Sequence, residues 1–150
     1  MKLKVPPVAV FLVAVLLLAA GHWLLPGLSL SLPGQVSAAL LFGLAGIVPG
    51  LQAVIEFIAR KTTVNPMEPE KATTLVTDGI YRFSRNPMYL GLLCLLLAFA
   101  LFWGTLTVIV VVPLFVWYMT EFQIKPEEDS LRQVFGSEYE AYLSDVRRWI

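Results

Sequence analysis

MYLGLLCLLLAFALFWGTLTVIVVVPLFVWYMT, residues 88–120, contains no Asp, Glu, Lys or Arg. A membrane-crossing helix needs about 20 apolar residues, so this run is too long for one crossing and short for two. With a turn at Gly104-Thr105 and a rise of ~1.5 Å per residue, it folds into two limbs of about 25 Å. The expectation is therefore a short, tightly packed hairpin, with spans near 88–103 and 105–122 and a bend at Pro113.

The rest of the chain agrees with a lipid environment. Residues 5–55 also lack any Asp, Glu, Lys or Arg. A single unit of 150 residues has too little interior to hide two such stretches from water. Composition points the same way, with 57% hydrophobic residues against 15% charged, where soluble domains carry about 25% charged. Spans are expected over 5–25 and 35–59, joined by the breakers Pro26-Gly27 and Pro33-Gly34. Pro49-Gly50 should kink the second span. Its Gly43, Gly46 and Gly50 form a small-residue stripe that permits close helix approach, within the chain or in a homodimer. Residues 1–21 also fit a cleavable signal peptide, but the apolar run continues through Leu24-Leu25 without a polar break, so a retained span is expected.

Positive residues set the orientation. Lys2 and Lys4 precede the first span; Arg60, Lys61, Lys71, Arg82 and Arg85 lie between the second and third; Lys125, Arg132, Arg147 and Arg148 follow the fourth. The two remaining loops are uncharged, so both termini are expected in the cytoplasm. Zero net charge argues against nucleic acid as a partner. A single cysteine, Cys94, and a single histidine, His22, exclude an internal disulfide and a multi-histidine zinc site. His22 beside Trp23 reads as an interfacial anchor.

Two charged segments share the expected cytoplasmic face. The loop 60–87 is far longer than the usual ~2–8-residue helix connection, and Leu75, Val76, Ile80, Tyr81 and Phe83 give it apolar anchors. A helix over 126–148 should start at Pro126, with Glu127, Glu128 and Asp129 against its positive end and Arg147-Arg148 at its close. Leu131, Val134, Phe135, Tyr139, Tyr142, Leu143, Val146 and Trp149 make one apolar stripe on it, a pattern that equally fits a helix lying on the membrane surface. Gly136 interrupts it, as a close contact would require. If the hairpin forms, the Arg85-Asn86-Pro87-Met88-Tyr89 segment and the Gln123–Glu128 segment emerge side by side.

Thr74-Leu75-Val76-Thr77-Asp78-Gly79-Ile80-Tyr81, Arg85 through Gly91, Glu127-Glu128, Phe135-Gly136, Tyr139, Tyr142 and Arg147-Arg148-Trp149 together resemble the isoprenylcysteine carboxyl methyltransferase and phospholipid methyltransferase superfamily. The likeness covers roughly the C-terminal half and rests on the ordered set of motifs. It implies an all-α integral membrane enzyme that binds S-adenosyl-L-methionine at the cytoplasmic face and methylates a lipidic or amphiphilic acceptor. By position, Thr73, Thr74, Leu75, Val76, Tyr81, Asn86, Pro87, Met88, Tyr89 and Glu127 would form the cofactor site, with Arg85, Gln123 and Glu128 as candidate catalytic residues and no metal. Two positions depart from the prenylcysteine enzymes: Asn86 stands for a histidine and Gln123 for a substrate-binding arginine. The second makes a prenylated cysteine less suitable and leaves a lipid amine, thiol or other amphiphile open. An NADPH-dependent membrane reductase and a non-catalytic helical scaffold are the rival readings.

Overall fold

The computed structural model describes residues 5–60, 70 and 72–150. Lys2, Lys4, Lys61, Lys71 and most of the proline-rich part of the long loop lie outside the described residues. Four apolar helices are followed by two polar ones: α1 (Pro7–Leu24), α2 (Gln35–Ala59), α3 (Pro87–Trp103), α4 (Val108–Met119), α5 (Lys125–Phe135) and α6 (Ser137–Asp145). Short 3-10 turns occupy Pro26–Leu28 and Gly79–Arg82. The fold is all-helical, as the composition and patterning require.

The apolar helices point large side chains outward. Leu12, Leu16, Leu40, Leu44, Ile47, Leu51 and Ile109 are all exposed, which in water would be a large unfavourable surface. Inside, the packing faces are small or slender. Ala39, Gly46 and Ala53 recur at seven-residue steps on α2, and Val111, Phe115 and Met119 at four-residue steps on α4. Ala14 and Leu18 of α1 join Leu96 and Ala100 of α3 and the α4 stripe in one core. This is the packing of a bundle whose solvent is lipid. α1, α2 and the helix that begins with α4 are each long and apolar enough to cross a membrane, and α3 is a shorter apolar helix.

The glycine stripe serves the chain itself. A Cβ at Gly46 would stand 2.7 Å from the Gly91 carbonyl oxygen, and one at Gly91 equally close to that of Gly46. These glycines let α2 and α3 touch backbone to backbone. A Cβ at Gly43 or at Gly50 would meet nothing within 4 Å, although the Gly50 backbone lies 3.5 Å from where a Cβ on Gly91 would stand. α2 remains one continuous helix through Pro49.

Both uncharged loops lie at one end. The Leu30 amide donates to the Gly104 carbonyl and the Leu106 amide to that of Leu28, each at 2.7 Å, around a bridge between Ser29 and Thr105. Val5, Arg60, the 72–86 segment and everything beyond Met119 lie at the other end, where the Gln123 amide donates to the Val5 carbonyl. The four apolar helices alternate in direction, so the hairpin expected from residues 88–120 forms, with its turn at 104–107.

The C-terminal region departs from expectation in three ways. No new helix starts at Pro126. α4 continues through a π segment, Thr120–Ile124, directly into α5. Pro126 has no N–H to donate, and the wider turn ahead of it absorbs that missing bond without breaking the rod. The helix expected over 126–148 is instead two helices, because Gly136 adopts φ +53° and ψ −123°, a region open essentially to glycine. Its surroundings are empty, so backbone geometry rather than close contact requires the glycine. Third, α6 stops at Asp145, and Val146 turns extended. Arg147 and Arg148 therefore do not close a helix, and the tail runs back across the bundle.

Candidate active site

The residue before a proline is biased towards extended backbone, and Asn86, at φ −127° and ψ 54°, makes that corner. Pro87 opens α3, so its missing N–H costs the helix nothing. The corner is fixed by the Asn86 amide donating to Ser84 Oγ at 3.1 Å and by Asn86 Nδ2 donating to the Arg148 carbonyl at 2.9 Å. One half-turn on, Tyr89 is buried, and its hydroxyl donates to Glu127 Oε2 at 2.9 Å. Two segments 38 residues apart in sequence thus meet through a phenol and a carboxylate.

The adjacent carboxylate is treated differently. Glu128 is only 3% exposed and receives a two-pronged contact from Arg148, Nε to Oε1 at 3.0 Å and Nη2 to Oε2 at 2.7 Å. Arg85 Nη1 stands 3.5 Å from Oε1. This pair of guanidinium groups compensates Glu128. Among the described residues no cation is paired with Glu127. Burial pushes its carboxyl up to about 7; the Tyr89 hydroxyl pulls it down and the Glu128 charge pushes it up again. Neighbouring carboxylates are thereby split in character, a familiar mark of working sites.

Between these groups lies a cavity of about 80 Å³. Its floor is Asn86, Met88 and Tyr89 from α3; Thr74, Leu75 and Val76 form one wall, and Leu131, Phe135, Tyr139 and Tyr142 from α5 and α6 the other. Phe57 of α2 meets Tyr81 edge-on at 5.4 Å. α6 is seated by the Tyr142 hydroxyl donating to the Tyr81 carbonyl at 2.7 Å. It covers the loop with part of the apolar stripe. Burial raises the phenols of Tyr81, Tyr139 and Tyr142, which stay neutral and present π faces at any physiological pH. The buried Arg85 Nε has no hydrogen-bond partner. What results is an aromatic chamber with one uncompensated acid and one unused cationic donor. A zwitterionic ligand that carries a further positive centre suits it.

Thr74, Leu75, Val76, Tyr81, Arg85, Asn86, Pro87, Met88, Tyr89, Glu127 and Glu128 all line this cavity. Thr73 and Gln123 do not. Thr73 sits between the lining residues Ala72 and Thr74. Gln123 is buried against the start of α1, where it fixes Val5. The wall residues Phe57, Leu131, Phe135, Tyr139 and Tyr142 were not in the expected site. The last four were visible as an apolar stripe, which a surface helix would share. Nothing local marked Phe57, because its neighbour Tyr81 is distant in sequence.

Residues 35–138 match the family description phospholipid methyltransferase. An uncharacterized protein of Haemophilus influenzae is 43% identical over 63 residues, 42% of this chain and 100% of its own. The protein-S-isoprenylcysteine O-methyltransferase of Schizosaccharomyces pombe is 35% identical over 72 residues, 48% of this chain and 30% of that enzyme. No solved structure matches.

Proposed function

The chain belongs to the phospholipid methyltransferase family, and on that premise we propose that it transfers a methyl group from S-adenosyl-L-methionine to a lipidic or small amphiphilic acceptor at the cytoplasmic face of the membrane. The observation that carries this reading is the Tyr89–Glu127 contact at 2.9 Å, which closes α3 and α5 around one aromatic chamber. The residues present fit such a cofactor. Glu127 and the faces of Tyr81 and Tyr139 attract positive charge, and Arg85 Nε offers an unused donor to a carboxylate.

When bound, the cofactor supplies an electrophilic methyl on a sulfonium. The chain's part is to orient it and to keep water out, because displacement at a methyl needs alignment more than a strong acid or base. Tyr139, Tyr142, Leu131 and Phe135 provide the dry wall; Glu127, Tyr89 and Arg85 fix the charged ends. Acceptors arrive from the lipid side, since Pro87 and Met88 stand where the chamber meets the first turn of a membrane helix. Charge supports this sidedness: Arg60, Arg82, Arg85, Lys125, Arg132, Arg147 and Arg148 lie at the chamber's end of the bundle, the distribution that the positive-inside rule associates with a cytoplasmic face.

Binding to detergent-purified protein tests this. S-adenosylmethionine and its demethylated product are expected to bind, and NADPH not. Tyr89→Phe and Glu127→Gln should each weaken that binding while the protein keeps its helical content. Binding of NADPH alone would replace the transferase with a reductase; binding of none of the three would leave a scaffold. Labelled-methyl transfer into a total membrane extract then identifies the acceptor.

A further inference from the structure

We propose that the segment Val146–Trp149 is a strap that keeps the cofactor site assembled, and that Arg148 is its positioning residue, holding Glu128 by two bonds so that Arg85, only loosely paired with the same acid through Nη1, keeps its Nε for the ligand's carboxylate. This rests on the cofactor reading above and adds to it a residue that never touches the ligand.

An extended segment with no secondary structure of its own needs ties to stay in place, and Val146–Trp149 is held at four places. The Arg147 carbonyl accepts from the Arg85 amide at 3.0 Å. The Arg148 carbonyl accepts from Asn86 Nδ2, and the Arg148 guanidinium grips both oxygens of Glu128. Trp149 Nε1 donates to Thr120 Oγ1 at 3.3 Å, on the π segment. Apolar packing reinforces these bonds: Val146 rests against the tyrosine cluster of the chamber, and Trp149 against the transmembrane core. Three of the four ties land on residues 85, 86 and 128, all of which line the cavity.

The consequence concerns how two cations share one acid. Glu128 is buried, and an acid in that position needs a well-placed partner. Arg148 supplies it with two short, parallel bonds, the strongest geometry a guanidinium can offer a carboxylate. Arg85 is left 3.5 Å away, with its Nε buried and unbonded. If Arg148 is removed, Glu128 has only Arg85 to turn to. Arg85 then closes onto it, and the donor that would meet an incoming carboxylate is lost.

Arg148→Gln is compared with the wild type for two ligands: S-adenosylhomocysteine, which carries the amino-acid carboxylate, and 5′-methylthioadenosine, which lacks it. The variant should weaken the first by at least about tenfold, the scale of one charge-assisted bond, and the second by less than about twofold. Arg148→Lys should restore part of the difference. Unchanged affinity for S-adenosylhomocysteine, or equal losses for both ligands, would overturn the proposal; the latter would reduce the strap to a structural brace. Failure of the wild type to bind either ligand would instead remove the cofactor reading itself. If Arg148→Gln does not fold, hydrogen exchange on the wild type gives the same decision. The Arg85 amide, bonded to Arg147, should be slowed by S-adenosylhomocysteine and not by 5′-methylthioadenosine, and equal slowing by both sinks the idea.

Discussion

The two ends of the helical hairpin solve the same problem by opposite means. At the uncharged end, backbone bonds tie the two loops directly: Leu28, Leu30, Gly104 and Leu106 exchange amide bonds, and neutral side chains only add to them, as where Gln35 Nε2 donates to the Phe102 carbonyl at 3.2 Å. At the charged end, side chains hold the chain together, through Tyr89–Glu127, Arg148–Glu128, Asn86–Arg148 and Tyr142–Tyr81. Among the described residues, the buried side-chain atoms without a partner, Arg85 Nε and Gln123 Oε1, both belong to the charged end, and there Glu127 has no paired cation. An end built only for stability should respond to any change by weakening; an end built for a ligand should contain at least one group whose removal makes the protein more stable and less useful.

The largest effect is expected at the backbone end. Gly104 sits at φ +62°, and a Cβ there would stand only 1.9 Å from the Leu30 carbonyl oxygen. Gly104→Val adds a β-branched residue to a left-handed position and drives it into a neighbouring strand of backbone, a cost of roughly 3 kcal/mol or more. Thermal melting in detergent should drop sharply, while the folded fraction keeps its cofactor affinity. Loss of affinity in the folded fraction would show that the two ends are coupled through α3 and α4.

Glu127→Gln is the opposing case. The native carboxyl is raised above its usual 4.5 to about 7, so the folded protein disfavours the charged form. Whatever stability Glu127 lends is complete below pH 4.5 and is lost as pH rises towards about 7. At pH 8 the glutamine variant, which has no charge to bury, should therefore melt above the wild type, by an amount on the order of 1 kcal/mol. Its affinity for S-adenosylmethionine should fall at the same pH. A variant less stable at pH 8 than the wild type would show that the carboxylate is better compensated than the geometry at Tyr89 indicates.

The same contrast separates what the sequence disclosed from what it hid. Four apolar helices were legible because charge-free runs are direct statements about lipid and water. The meeting of Tyr89 with Glu127 was legible because a short hairpin must return its two ends to one surface. The tail was not. Periodicity through residues 126–148 looked continuous, since a single glycine at an unusual φ and ψ leaves no trace in the apolar pattern. Pro126 with three acids read as a helix start, whereas a π turn just before it lets the rod continue. Gln123, in the π segment, bonds to Val5 and lies outside the chamber's lining, a placement that its spacing from Glu127 does not disclose.

The smallest change sharpens the comparison most. Tyr89→Phe removes one hydroxyl and leaves the ring, so packing on α3 is preserved and stability should move by about 1 kcal/mol or less. The hydroxyl's hydrogen bond is what pulls the Glu127 carboxyl down against burial. Without it the carboxyl rises above about 7, and at neutral pH a larger share of Glu127 is protonated. Cofactor binding that depends on the charged acid should weaken a few-fold at pH 7 and recover as pH is raised, with its midpoint displaced upward from that of the wild type. Binding measured across pH 6 to 9 reads this directly. A midpoint that stays in place would mean that the cofactor does not sense the charge on Glu127. The uncompensated acid would then be a tolerated burial, and the charged end would differ from the uncharged one only in the kind of bond it uses.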